Sequence, residues 1–128
     1  VKLLLDTHAF IWWDNDKSQL SQPALDACLD QSNTLFLSIA SIWEMQIKIQ
    51  TGKLSFTIPL EQRIIEQTRI NGLKILPIRQ KHIYTLAVLP DHHRDPFDRL
   101  LIAQSIYEKM TLISHDAQIK QYSLQLLW

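Results

Sequence analysis

Glycine, cysteine and net charge are all scarce in this chain, and each shortage narrows what the protein is. Cys28, the only cysteine, lies in an apparent helix, so there is neither an internal disulfide framework nor a cysteine-based zinc site. It reads as a buried, inert thiol. The two glycines, Gly52 and Gly72, each follow a stretch of helical periodicity and read as helix stops. Thirteen basic and thirteen acidic residues cancel. Because non-specific nucleic-acid affinity comes mostly from Lys and Arg neutralising phosphates, any nucleic-acid contact must be local. No apolar run is long enough to span a bilayer, so no membrane role is expected. The amino terminus opens directly on Val-Lys-Leu-Leu-Leu-Asp with no export signal before it, and a cytoplasmic location is expected. Repeats, linkers and low-complexity tracts are absent.

What is present is a globular profile, with 46% apolar and 20% charged residues among 128. That length suits one domain over residues 1–128 and is too short for two. Strand-like segments are expected at about Val1 to Leu5, Thr34 to Leu37, Leu73 to Ile78, Thr111 to Ser114 and Leu124 to Trp128. Helical segments alternate with them. One runs from Ser21 to about Asp30 with Pro23 in its first turn, and one from the N-cap Ser38 to Gln50. Others are opened by Ile58-Pro59, by Lys81, and by Asp95-Pro96. Strands alternating with helices predict an α/β fold with a mostly parallel, about five-stranded sheet.

Asp6, Glu44, Asp98 and Asp116 are far apart in the chain, yet each falls where a strand ends or a helix begins. In a parallel sheet all such places lie along the carboxyl edge, where open α/β proteins hold ligands. Carboxylates gathered there repel one another, and their pKa values climb unless a cation sits among them. A divalent metal is the simplest reading. Oxygen-only ligands suit Mg²⁺ or Mn²⁺, which keep several waters and bind phosphate oxygens.

Four segments carry a family resemblance: Leu-Leu-Leu-Asp6-Thr7-His; Ser38-Ile-Ala-Ser41-Ile-Trp-Glu44-Met-Gln-Ile-Lys48 with Gly52-Lys53-Leu54; Asp95-Pro-Phe-Asp98-Arg99-Leu-Leu-Ile-Ala-Gln104; and Leu112-Ile-Ser-His-Asp116. In this order and spacing, across nearly the whole chain, they resemble a PIN domain, close to the VapC toxins of toxin–antitoxin pairs. The resemblance implies a three-layer α/β/α fold and an Mg²⁺- or Mn²⁺-dependent endoribonuclease that leaves 5′-phosphate and 3′-hydroxyl ends. It also implies a cognate antitoxin that blocks the site, and a homodimer. Asp6 and Asp98 would anchor the ion, while Glu44 and Asp116 complete the pocket or hold a second ion and the attacking water. The ion would lower that water's pKa and stabilise charge developing on phosphorane oxygens.

Each residue also has a structural reading. Asp6 and Asp116 are placed to cap the helices after them, and Glu44 to be a solvated member of an amphipathic helix whose polar stripe includes Ser41 and Lys48. Asp-Pro-x-Asp divides into Asp95 as N-cap or outer partner and Asp98 as ligand, because Asp98 shares a face with the apolar Leu101 and Ile102. Thr7 is a candidate hydrogen-bond donor to the site. Arg99 either organises the site or reaches phosphate, against a surface ion pair of little worth. His92 and His93 are expected to be solvated loop residues. Trp43 is expected to pack within its helix stripe, and Trp12 and Trp13 to offer aromatic surface for bases or an antitoxin. A receiver-like phosphoacceptor module is the alternative from another class, but the third strand, Lys74-Ile-Leu-Pro-Ile-Arg79, lacks the acceptor acid. A PIN fold kept only for binding is a third possibility, weakened by the presence of all four acids.

Overall fold

The computed structural model describes residues 1–128. In chain order its elements are β1 (Lys2–Leu5), α1 (Thr7–Asn15), α2 (Gln22–Leu29), β2 (Thr34–Ser38), α3 (Ile39–Gln50), α4 (Leu60–Asn71), β3 (Lys74–Leu76), α5 (Gln80–Thr85), α6 (Pro96–Glu108), β4 (Thr111–Ile113) and β5 (Leu126–Leu127). The strands form one sheet in the order β3-β2-β1-β4-β5, and every pairing is parallel. The fold is α/β, and the sheet is parallel throughout where the sequence promised only a mostly parallel one.

The strand at the centre explains the layering. Leu3, Leu4 and Leu5 are all buried, as expected of a strand covered on both faces. Side chains alternate along a strand, so Leu3 and Leu5 enter one core with Phe10, Trp13, Leu37 and Met45, while Leu4 enters the other with Leu101, Ile102 and Leu112. Helices α1 to α4 cover the first face and α6 the second. Each fully buried leucine is worth roughly 1.5–3 kcal/mol, so the two cores hold the sheet from both sides.

Caps fix where the helices start. Ser38 accepts from Ala40 N at 3.0 Å and its hydroxyl reaches Gln104 Oε1 at 2.6 Å, tying α3 to α6. Gly72 ends α4 at φ 66°, the left-handed conformation glycine adopts without penalty. With no third glycine available, α6 ends on Lys109 at φ 57°. Helix α4 is clamped to α1 by a nearly buried ion pair, Arg63 to Asp14 at 2.7 Å, which Gln67 extends at 2.9 Å. Cys28 is buried in α2, and burial pushes its thiol up to about 11. No helix is long and apolar enough to cross a membrane.

Candidate metal centre

Strand register assembles the acidic cluster. Leu5 pairs with Leu37 on one side and Ile113 on the other, so Asp6, the start of α3 and the Ser114–Asp116 turn emerge at one edge. The Asp6 N–H continues the ladder by donating to the Ile113 carbonyl at 3.1 Å. The amino-terminal end of α6 arrives at the same edge, bringing Asp98 in its first turn. Together they line a cleft of about 320 Å³ with Asp6, Glu44, Asp95, Asp98 and Asp116 on its walls and Lys48 as its one Lys or Arg. Lys53 and Arg99, the other basic residues named from sequence, do not line it.

Asp6 is buried and lines the cleft while it caps α1, accepting from Ala9 N at 2.8 Å, as its structural reading had it. Burial raises its pKa, and the Ser114 hydroxyl and the Ala9 N–H work against that rise. Glu44 is oriented from two sides: the Thr7 hydroxyl donates to Oε1 at 2.6 Å, and Lys48 Nζ lies 3.0 Å from Oε2. Ser41 is buried below, with its hydroxyl 3.1 Å from that of Thr7. Asp95 is the N-cap of α6, accepting from Phe97 N at 2.8 Å and Asp98 N at 3.1 Å.

Asp98 carries the strain of the cluster. Burial, then the nearby charges of Asp95, Asp6 and Glu44, push its carboxyl from 3.8 up to about 7, against a smaller opposing pull from His93. Near neutral pH the cleft therefore favours a shared proton or a cation. Asp116 goes the other way. Burial works against its charge, but hydrogen bonds from His93 and Gln118 N outweigh it and hold the carboxyl below its usual value.

His93 is the residue that sequence reasoning misplaced. Its side chain is buried, with the residue only 6% exposed, and Nε2 lies 2.9 Å from Asp116 Oδ2 and 3.1 Å from Asp98 Oδ2. Nδ1 accepts the Asp95 N–H at 3.1 Å, which leaves the ring proton on Nε2, facing both carboxylates. Nδ1 is thereby occupied and Nε2 is a donor, so His93 orients acids and is not arranged as a ligand, although His93, Asp98 and Asp116 lie close enough to enclose an ion. The loop before it is buttressed by Tyr122, whose phenol oxygen accepts from His92 N at 3.1 Å and His93 N at 2.9 Å. A local signal existed: a histidine two residues before an N-cap aspartate can turn back on the cap's N–H.

Three further expectations are corrected. Arg99 does not reach the site acids and keeps only the weak surface pair of its alternative reading, with the exposed Asp91 at 3.9 Å; its guanidinium donates to the Pro90 carbonyl at 3.0 Å and to Tyr122 at 3.1 Å, tying down the same loop. Trp43 is 59% exposed, with the Phe97 ring against it edge-on at 5.2 Å. Its helix turns Met45 into the core instead. Trp13 is buried, donating to Gln67 at 3.2 Å, and offers no surface, whereas Trp12 is half-buried on the cleft wall.

With this geometry in place, likeness to known proteins is informative. A family model described as PIN domain matches residues 3–124. Ribonuclease VapC22 of Mycobacterium tuberculosis (strain ATCC 25618 / H37Rv) is 26% identical over 124 residues, covering 94% of this chain and 91% of that protein. Among solved structures, VapBC2 from Rickettsia felis, bound to a DNA fragment from its promoter, matches with a TM-score of 0.73 at 18% identity, over 99% of this chain and 98% of that one. FitAcB from Neisseria gonorrhoeae matches with a TM-score of 0.61 at 14% identity, over 98% and 96% of the two chains. At such identities the structural likeness speaks for the fold alone.

Proposed function

Because the chain belongs to the PIN domain family, we propose that it is a divalent-metal-dependent endoribonuclease, the toxin of a toxin–antitoxin pair. The observation carrying this is the acidic cleft itself, in which Asp98 is pushed up to about 7 by burial and by other carboxylates. The donor set fits a hard cation: Asp6, Asp98 and Asp116 present oxygens to one cleft, with Glu44 beside them. The relative named a ribonuclease supports RNA as substrate, and a solved neighbour of 16% identity and TM-score 0.59, VapBC-5 from Mycobacterium tuberculosis, of the VapBC family of toxin–antitoxin systems, supports a protein partner.

When bound, Mg²⁺ or Mn²⁺ supplies Lewis acidity and lowers the pKa of water in the cleft. The chain's own residues do the rest. Asp6 and Asp98 would hold the ion, and Asp116, oriented by His93 Nε2 at 2.9 Å, would complete the acidic set. Glu44, oriented by Thr7, positions the attacking water, and Lys48 is free to exchange its carboxylate partner for a phosphate oxygen. Asp95 and Arg99 act indirectly, by capping α6 and fixing the loop that carries His93. A homodimer in the cytoplasm completes the reading, two copies compensating for the few phosphate contacts that one neutral domain offers.

The test is purified protein with total RNA, with and without Mn²⁺ or Mg²⁺, followed by end analysis. Expected are metal-dependent cuts with 5′-phosphate and 3′-hydroxyl ends, lost in Asp6→Asn and Asp98→Asn. Cleavage that persists in excess chelator, or in both variants, would sink the assignment.

A further inference from the structure

The acidic cleft has a second wall that hydrolysis does not use. His8, Trp12 and His115 line it beside the carboxylates, and Trp128 joins them from the end of the chain. The four rings form a continuous ladder. His8 lies 5.7 Å from Trp12, and Trp12 lies 5.6 Å from Trp128, both tilted. Trp128 lies flat on His115, with centroids 5.0 Å apart and planes within 6°. The tryptophans are half-buried, but the histidines at the two ends are exposed. One face of the His115 ring lies against Trp128, and the residue is nonetheless exposed.

We propose that this wall is a nucleobase-stacking subsite, in which an unpaired base of single-stranded RNA stacks on His115 and extends the ladder while its phosphate lies over the acids. The inference rests on the ribonuclease reading and names the form of RNA the site takes. Charge supports it: Lys48 is the one Lys or Arg lining the cleft of a chain with no net charge, so phosphate contacts alone supply little affinity. Stacking on a flat ring supplies roughly five- to a hundredfold per base, whatever the sequence. Trp128 already fixes the plane of His115, so little order is lost when a base arrives. His115 immediately precedes Asp116, which places the stacking ring one residue from a cleft acid. Bases inside a duplex have both faces stacked and offer none to the ladder.

The experiment uses full-length protein carrying Asp98→Asn to stop turnover, titrated with a fluorescein-labelled single-stranded RNA decamer and with its duplex. We expect the duplex to bind at least about tenfold more weakly, His115→Ala to weaken single-strand binding about tenfold, and His115→Phe to stay within about twofold, because a flat ring remains. Trp128→Ala, at the same end of the ladder, should act in the same direction as His115→Ala. Equal affinity for duplex and single strand, or His115→Ala binding like its parent, would overturn the proposal. So would His115→Phe losing as much as His115→Ala, since that would point to a polar role of the imidazole. If His115→Ala keeps RNA affinity but loses a protein partner, the wall is a protein-docking face and the base subsite is wrong. A chain with unaltered Asp98 that cuts no RNA while the His115 series behaves as expected would instead remove the ribonuclease reading and support the subsite.

Discussion

At His82 and at His93 the chain builds the same small device in two places. In each, Nδ1 accepts a backbone N–H, from Arg79 at 3.0 Å and from Asp95 at 3.1 Å. In each, Nε2 is turned on a carboxylate, Glu108 at 2.7 Å and Asp116 at 2.9 Å. The surroundings differ. His82 is completely buried between α5 and α6, has Gln104 Nε2 3.3 Å from Nδ1, and faces one carboxylate. His93 sits beside the cleft, and the same proton faces a second carboxylate, Asp98, at 3.1 Å. One donor matched to one acid closes a structural contact, whereas one donor between two acids leaves negative charge over. That surplus separates a contact that joins helices from one that leaves excess negative charge in the cleft.

The largest expected effect breaks the pairs at their acids. Asp98→Asn should remove RNA cleavage by more than the roughly 10- to 100-fold that loss of an outer partner costs a metal site. Glu108→Gln, at the matched pair, should leave kcat within about twofold. Equal losses in a steady-state RNA assay would abolish the distinction between the two sites.

Next come the histidines themselves. His82→Ala should lower stability by about 2–4 kcal/mol, since it opens a cavity and strands the Arg79 N–H and Glu108, while barely changing cleavage once folded. His93→Ala should do the reverse: a smaller fall in the denaturant midpoint, with Mn²⁺ affinity by calorimetry down roughly tenfold or more. A reversed pattern would mean that burial, not the second carboxylate, separates the two.

A third effect concerns pH. Asp98 holds its proton up to about 7 in the folded chain, against an ordinary value of 3.8, so between those values the folded state binds more protons than the unfolded one. Stability of the metal-free protein therefore falls as pH rises from about 4 through 7. We expect Tm to drop by several degrees between pH 5 and 8, and Asp98→Asn or added Mn²⁺ to flatten the slope. A Tm that climbs over that range would show that the surplus charge is misplaced.

The smallest effect sharpens the split between neighbouring acids. Asp95→Asn should cost only a few tenths of a kcal/mol, and Asp95→Ala about 0.5–2, because asparagine caps nearly as well as aspartate. Melting curves for the two variants decide it. Turnover in Asp95→Asn that falls as far as in Asp98→Asn would place Asp95 among the ion's ligands.

Much was legible from the chain alone wherever the cause was local. Alternating strands and helices, the caps at Ser38 and Asp95, the stop at Gly72 and the placement of Asp6 after β1 all follow from short-range rules about periodicity and unsatisfied backbone groups. Pattern also carried the family resemblance, because its motifs are contiguous. Trp43 shows where that reasoning stops: helical spacing assigns a residue to a stripe, but only the neighbours of α3 decide that Met45 takes the buried place and Trp43 the exposed one.

The sequence by itself determined most of the elements that form, that they build a mostly parallel α/β sheet, and that Asp6, Asp98 and Asp116 sit at strand or helix ends with Glu44 in the helix after β2. Those properties depend on residues a few positions apart. The tertiary structure alone decided that β1 lies between β2 and β4, so that Asp6 meets the Asp116 turn and the start of α6. It also decided that Tyr122 and Arg99 tie down the loop that turns His93 between two carboxylates. The stacking of Trp128 on His115 belongs with these, since both rings need the packed sheet edge to meet. Protonation and charge in the cleft depend on distances between groups up to about a hundred residues apart, and a chain acquires such distances only when it packs.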